Sequence, residues 1–421
     1  MSRFLLATMG SLGDLHPSIA IGRVLLARGH RVIIVSAEEY RSAVQKVGIE
    51  FAAAPPSLAE LGDYQKVVAR IFHARRGPER LIREMVMPSL RSAYQAILQA
   101  SEGADLLVSH PLTFAVQLVA QRRGLPWVAT VLSPLSFMSD YDPPIISGAP
   151  WLRKLRAFGP KFYGTLFSLF KKATWRWEAP LRQLRKELGL PPSMHMAMFE
   201  GQFSPLLNLA LFDPPLAQPQ PDWPANIHVC GSPMFEGAMP DENTLLELNR
   251  FLAKGDPPIV FALGSSAVWV AGDFWERTVH VTQQLGRRAI LLTGPAMPAS
   301  LPESVKAFSY LPYSKVFPHA AAVVHQGGIG TLAQALRAGR PQLIVPLAFD
   351  QPDNAQRAKE LGLARVIPFR KATSRRLAIE LEPLLSCSNY ASAAAKIAND
   401  LVKVDGASCA ADHLVNCLGK P

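Results

Sequence analysis

Cysteine is scarce in this chain. Its 421 residues hold four, Cys230, Cys387, Cys409 and Cys417. None forms a CxxC pair, so neither a disulfide framework nor a sequence-defined zinc site is expected. Such a chain suits a reducing compartment, and the expected location is the cytoplasm. No apolar run reaches the ~18 residues a membrane span needs. The short stretch Phe4–Ala7 runs into a glycine turn and reads as a first strand, not a signal peptide. There is no repeat at solenoid spacing and no low-complexity tract. Acidic residues are outnumbered, 33 against 44 Lys and Arg, for a net charge of +11. The excess is local. From Trp151 to Glu187 ten basic residues meet two acids, Glu178 and Glu187. That marks a surface with an anionic partner. No zinc-finger or RNA-binding signature accompanies it, so nucleic acid is not expected to be that partner.

What is present points to an α/β protein of two domains. The length exceeds one typical core. Apolar segments at Phe4–Thr8, Val32–Val35, Leu106–Val108 and Val128–Val131 alternate with helical spacing at Pro17–Arg28 and Phe114–Arg123. The pattern implies a parallel, doubly wound sheet, which binds ligands at the carboxyl ends of its strands. Five prolines crowd the stretch Asp213–Pro224, which reads as the way into a linker. The alternation restarts at Ile259–Ala262, Asp273–Leu285, Ala289–Leu292 and Ala322–Val324. The expected divisions are a first domain 1–212, a linker 213–236, a second domain 237–398 and a C-terminal segment 399–421.

The strongest chemical signal runs from His325 to Asn354. A histidine opens a glycine-rich turn, His325, Gly327, Gly328, Gly330 and Thr331, which runs into a helical stretch. A helix N-terminus carries unpaired N–H groups and about half a positive charge, and glycines let the backbone approach an anion. About twenty residues on, the strand Gln342–Val345 leads through Pro346 to Asp350-Gln351. A carboxylate beside an amide can bond sugar hydroxyls. Diphosphate at one end and polyol at the other describe a nucleotide-sugar.

On His325, Gly327, Gly328, Thr331, Pro346, Asp350 and Gln351 the chain resembles family 1 glycosyltransferases, the group with the two-Rossmann GT-B fold. Among them it is most similar to bacterial enzymes that act on lipids, flavonoids and sterols, including rhamnosyltransferases. The resemblance spans nearly the whole length and includes GSLGD, PDWP and FALGSS. It implies inverting, metal-independent transfer, with the nucleotide-sugar as co-substrate and no other cofactor. The helix dipole and His325 would neutralise the leaving diphosphate. Ser265 or Ser266 would reach the phosphates or the sugar. Tyr310, with Leu311 beside it, would stack on the base and read its edge, or else Tyr310 is a core residue at a strand end. Plant members grip the ribose with a glutamate where this chain is read as having Ala333. That leans towards a dTDP-sugar, with Gln334 as a substitute and UDP still open. The C-terminal segment would cross back to the first domain.

The resemblance also places the acceptor at the loop Gly10-Ser11-Leu12-Gly13-Asp14 after the first strand. Asp14 is the expected general base, or else a helix cap. His16 competes for the role, or sits at a helix start on the surface. His110, after the strand Leu106–Val108, would pair with Asp14 in a dyad. Apolar residues at helical spacing in Lys161–Trp177 (Phe162, Leu166, Leu169, Phe170, Ala173, Trp177) flanked by cations allow two readings. One is a helix packed on the acceptor pocket. The other is a helix lying on an anionic membrane within 151–187. Both suit a lipophilic acceptor. The expected activity is transfer of a hexose or 6-deoxyhexose, such as glucose or rhamnose, onto a hydroxyl of a lipophilic small molecule or lipid. A GT-B sugar-nucleotide epimerase and a non-catalytic nucleotide-sugar or membrane binder remain the alternatives.

Overall fold

Runs of aliphatic residues, buried on both faces, form two wholly parallel sheets. The computed structural model describes residues 1–237, 239–298 and 300–419. The end of the expected C-terminal segment, 420–421, lies outside them. The first sheet holds β1 (Arg3–Ala7), β2 (Arg31–Ser36), β3 (Glu50–Ala53), β4 (Leu106–Ser109), β5 (Trp127–Val131), β6 (Asn208–Ala210) and β7 (Ile227–Val229), in the order β3-β2-β1-β4-β5-β6-β7. The second holds β8 (Ile259–Ala262), β9 (Ala289–Leu292), β10 (Val305–Phe308), β11 (Ala322–His325), β12 (Gln342–Ile344) and β13 (Ala364–Val366), in the order β10-β9-β8-β11-β12-β13. Strands such as Phe4–Leu6 and Ile259–Ala262 are at most 1% exposed, as helices on both faces require.

Each sheet reverses its direction of winding once, between β1 and β4 and between β8 and β11. Crevices at such switch points are where doubly wound sheets hold ligands. Asp14 lies in the first turn of the helix that follows β1, and His110 follows β4. The loop after β8 carries Ser265 and Ser266, and the glycine turn follows β11. Topology alone thus brings together residues far apart in sequence.

Three expectations need correction. The helix expected from Pro17 begins at Leu12 and runs to Ala27 (α1). Ser11 is its N-cap, and Pro17, a common helix opener, lies inside it. The linker expected at 213–236 contains β7, whose three residues pair with β6. The first domain therefore extends to about residue 230. The stripe expected on Lys161–Trp177 is rotated: Tyr163, Phe167 and Thr174 are buried, while Leu169 is 59% exposed. The C-terminal helix Gly406–Leu418 packs on the first domain. Its Ala410, Ala411 and Leu414 join the α1 side of the first core, and Asp412 pairs with Arg28 at 2.7 Å.

Candidate active site

A cleft of about 920 Å³ opens between the carboxyl ends of the two sheets. On the first domain's side it widens into an apolar chamber lined by Met85, Leu90, Phe114, Phe170, Trp177 and Phe199, among others. The second domain's side is polar and carries the glycine turn, Gln326, Asp350 and Gln351.

Asp14 sits where the two sides meet, as the third residue of α1. Its Oδ2 accepts from the Ser11 N–H at 2.6 Å and the Ser11 hydroxyl at 3.0 Å. The Ser11 hydroxyl in turn accepts from Gly13 N–H. This is a capping box, so the reading of Asp14 as a cap holds for one oxygen. The other oxygen, Oδ1, lies 3.2 Å from Nε2 of His110. His110 Nδ1 accepts from Leu112 N–H, so the proton belongs on Nε2 and points at Asp14. The expected Asp14–His110 pair is therefore formed. Burial works against ionisation of Asp14. The hydrogen bond and positive edge of His110, with the two Ser11 donors, outweigh it, and the carboxyl sits below its ordinary value. Gly10, at φ +133°, leaves the room: a Cβ there would lie 2.3 Å from Asp14 Oδ2.

His16 lines the same cleft, edge-on to Phe235 at 5.2 Å. Burial draws its pKa down to about 4, so it is neutral at pH 7. Among the described residues no carboxylate orients it.

On the opposite wall the helix Ile329–Arg337 starts at Gly328 with no side chain capping its first turn. Gly328, Ile329, Gly330 and Thr331 line the cleft. This open N-terminus is a seat for an anion. Gly327 (φ +87°) is packed against Ile344 and the Gln351 backbone, where a Cβ would fall within 3.1 Å of both. That contact ties the turn to the Asp350 loop.

His325 does not do what the resemblance implied. It is fully buried, its Nε2 lies 3.0 Å from the Gln342 side-chain oxygen, and its Nδ1 accepts from Gly327 N–H. Burial pulls its pKa down to about 4. A neutral ring with both nitrogens engaged, and no place on the cleft wall, shapes the turn rather than neutralising a diphosphate. The next residue, Gln326, is the one that sequence reasoning missed. Its side chain is wedged between Gly264 and Gly328, on each of which a Cβ would meet its Nε2. Its Oε1 is buried without a partner. The glycines at both contact points were the available signal.

Where the resemblance sets a ribose-gripping glutamate against Ala333, this wall has a carboxylate from elsewhere. Ala333 is fully buried. It and Gln334 both line the cleft, and the Gln334 amide donates to Glu236 at 3.4 Å. Glu236 also accepts from Ser314 N–H at 2.9 Å. A carboxylate is thus present on this wall, supplied by the interdomain connection. Tyr310 is 45% exposed beside it, and Leu311 is buried. Ser266 bonds the hydroxyl of Tyr64 from the first domain, while Ser265 is exposed.

Asp350 accepts from the Asn354 amide at 2.7 Å. Burial raises its pKa to about 7; the Asn354 bond opposes this, and the charge of Asp14 across the cleft adds to it. The preceding Phe349 has φ +56°, a strained conformation for a bulky residue, braced by Phe72 at 5.4 Å. Gln351 accepts from Leu347 N–H at 2.9 Å through its side-chain oxygen, which leaves its amide group for a ligand. The loop 140–150 reaches the cleft through Ile146, Ser147 and Gly148. It is pinned to the second domain: Arg357 bonds Asp142 at 2.6 Å and Asp353 at 2.8 Å, and Asp353 accepts from Ile145 N–H.

Away from the cleft, Cys230, Cys409 and His413 bring three donor atoms within 4.8 Å of one another, a grouping that the sequence spacing hid.

Residues 4–102 match the glycosyltransferase family 28 N-terminal domain, and residues 293–413 match the erythromycin biosynthesis protein CIII-like C-terminal domain. The O-mycaminosyltylonolide 6-deoxyallosyltransferase of Streptomyces fradiae is 32% identical over 384 residues, which is 89% of this chain and 88% of the relative. The glycotransferase of kitacinnamycin superposes with a TM-score of 0.71 at 23% identity, covering 99% of each chain. The spinosyn rhamnosyltransferase SpnG complexed with thymidine diphosphate gives 0.67 at 18% identity, covering all of both chains. This chain belongs to the bacterial family 1 glycosyltransferases and has their GT-B fold. It is an enzyme that transfers sugar from a nucleotide-sugar.

Proposed function

We propose that the enzyme moves a hexose or 6-deoxyhexose, such as rhamnose or glucose, from a dTDP- or UDP-sugar onto a hydroxyl of a lipophilic acceptor, with inversion and without a metal. The observation that carries this reading is the placement of Asp14. It stands between an apolar chamber and the anion seat, oriented by His110 and facing Asp350. The acceptor hydroxyl would lie against Asp14 Oδ1. A carboxylate with a depressed pKa is too weak to remove an alcohol proton in advance. Proton transfer would therefore accompany formation of the new C–O bond. The diphosphate leaves into the N-terminal turn of Ile329–Arg337, whose N–H groups stabilise its charge. Asp350 and the Gln351 amide would hold the sugar hydroxyls, with Ser265, Thr331 and Tyr310 along the donor. Much of the rate would come from holding the two substrates together.

A thymidine diphosphate complex among the structural neighbours supports a dTDP donor, while Glu236 keeps a ribose-reading UDP donor in play. The test is Asp14→Asn, assayed with dTDP-rhamnose and UDP-glucose against fatty, sterol and polyphenol hydroxyls. Turnover should fall by about 10²–10⁴, while nucleotide still raises the melting temperature. Full turnover in the variant would remove Asp14 as base. Sugar-nucleotide isomerisation without any acceptor would favour the epimerase reading.

A further inference from the structure

The helix Gly159–Thr174, with the turn segment Pro150–Phe158 before it, has two unlike faces. Inward, Tyr163 and Phe167 are buried and Phe170 reaches the chamber wall. At about 100° per residue, the opposite face of the helix carries Lys161, Leu169 and Lys172, with Phe158 and Arg176 in the 3₁₀ turns that flank its two ends. Each is exposed; Phe158 is 67% exposed, and Trp151, just before it, is 59% exposed. Positions 143–177 contain seven Lys or Arg and no Asp or Glu. Arg153, Arg156 and Lys171 are paired with Glu360, Asp142 and Glu200. Lys154, Lys161, Lys172 and Arg176 have no ion pair among the described residues.

An ordinary solvated face carries charges of both signs and few large apolar groups. This one alternates aromatic and aliphatic side chains with unpaired cations and excludes acids. We propose that it is a docking face for an anionic lipid surface. Phe158, Leu169 and Trp151 enter the headgroup region, and the cations meet lipid phosphates. Among the described residues no helix is long and apolar enough to cross a membrane, so the attachment is peripheral. Because the inner side of the same helix lines the chamber, docking brings the chamber next to the phase in which a lipophilic acceptor dissolves. That use rests on the transferase reading above, whereas the docking does not, and it is measured without substrates.

The test is co-sedimentation of the full chain with vesicles of phosphatidylcholine alone or mixed with phosphatidylglycerol. Binding is expected only to the mixed vesicles, and it should fade near 1 M salt, where the screening length is about 3 Å. Each cation at such a surface is worth on the order of fivefold in partitioning, so K161E/K172E/R176E should lose about a hundredfold or more. W151S/F158S/L169S should also release the protein. A control with the same type of charge change elsewhere, K254E/K403E, should keep most of its binding. All these positions are exposed, so melting temperature and its rise with nucleotide should be unchanged. Equal binding to neutral vesicles, or an equal loss in the control, would overturn the proposal. So would no vesicle binding in a chain that holds a single-stranded oligonucleotide through the same cations.

Discussion

Replacing Asp350 with asparagine should stabilise the protein and disable it. The wild-type carboxyl titrates near 7, against an ordinary value of 3.8. Between those values the folded state keeps a proton that the unfolded chain has released. Folding stability therefore falls as pH rises from about 4 to about 7, and levels off above. The full gap of about three units would correspond to roughly 4 kcal/mol. Asp350 lies on the wall of an open cleft, where water softens the penalty, so about 1–2 kcal/mol is the realistic cost. Asparagine keeps the size, can still accept from the Asn354 amide, and has no charge to bury.

Thermal melting at several pH values tests this. At pH 8 the variant should melt higher, by about 2–4 °C per kcal/mol for a domain of this size. Near pH 4 the two proteins should converge. Donor affinity in the wild type should rise as pH passes through 7 and the carboxylate forms, whereas the variant should bind weakly and show no such step. A variant that is less stable at pH 8, or a difference that ignores pH, would refute the account of Asp350 as a charge held at a cost for the sugar.

Other expectations follow from the same geometry. Gly330 has open space where a Cβ would go, so Gly330→Leu should fold normally yet lose the nucleotide-induced thermal shift; Gly327→Ala, with no such space, should lose stability as well. Removing Arg357 takes the ion pair from buried Asp353 and leaves Asp142 to Arg156, so Arg357→Ala should cost about 3 kcal/mol and free the 140–150 loop, seen as faster proteolysis there. Adding Asp142→Asn and Asp353→Asn should restore part of that stability. Asp14→Asn removes a charge that raises the Asp350 pKa, so the donor-affinity step should move to lower pH; an unmoved step would mean that the two carboxylates do not face each other.

The sequence made legible whatever depends on local pattern. Alternating apolar runs announced two parallel sheets, and the glycine turn with Asp350-Gln351 announced the donor wall. The Asp14–His110 pair was readable through the family resemblance, and the structure supplies its physical basis: both residues follow strands at one switch point. What escaped depends on packing. β7 is three residues after a proline-rich stretch, too short to show a period. His325 ends β11 with its ring turned to Gln342 on β12, and nothing local separates that from a ring turned to the cleft. Glu236 stands far from Gln334 in the chain, and only the packing of the connection against the helix brings the two together. The stripe on Gly159–Thr174 was misphased because large residues lie on both faces.

The two carboxylates that face each other across the cleft are pushed in opposite directions, which fits the division of work proposed for them. Asp14 has three donors aimed at it, so it is ionised before the acceptor arrives and offers Oδ1 as the place for a proton. Asp350 has one amide donor and a like charge opposite, so it is short of hydrogen bonds until sugar hydroxyls supply them. With the roles proposed above, donor binding would relieve the carboxyl that most needs partners and leave the base untouched. An exchange of roles would fail on both counts. Asp350 as base would be partly protonated near neutral pH, and Asp14 as sugar anchor has its Oδ2 already spent on Ser11. The asymmetry follows from two local choices in the chain, a capping serine beside Asp14 and a strained phenylalanine before Asp350.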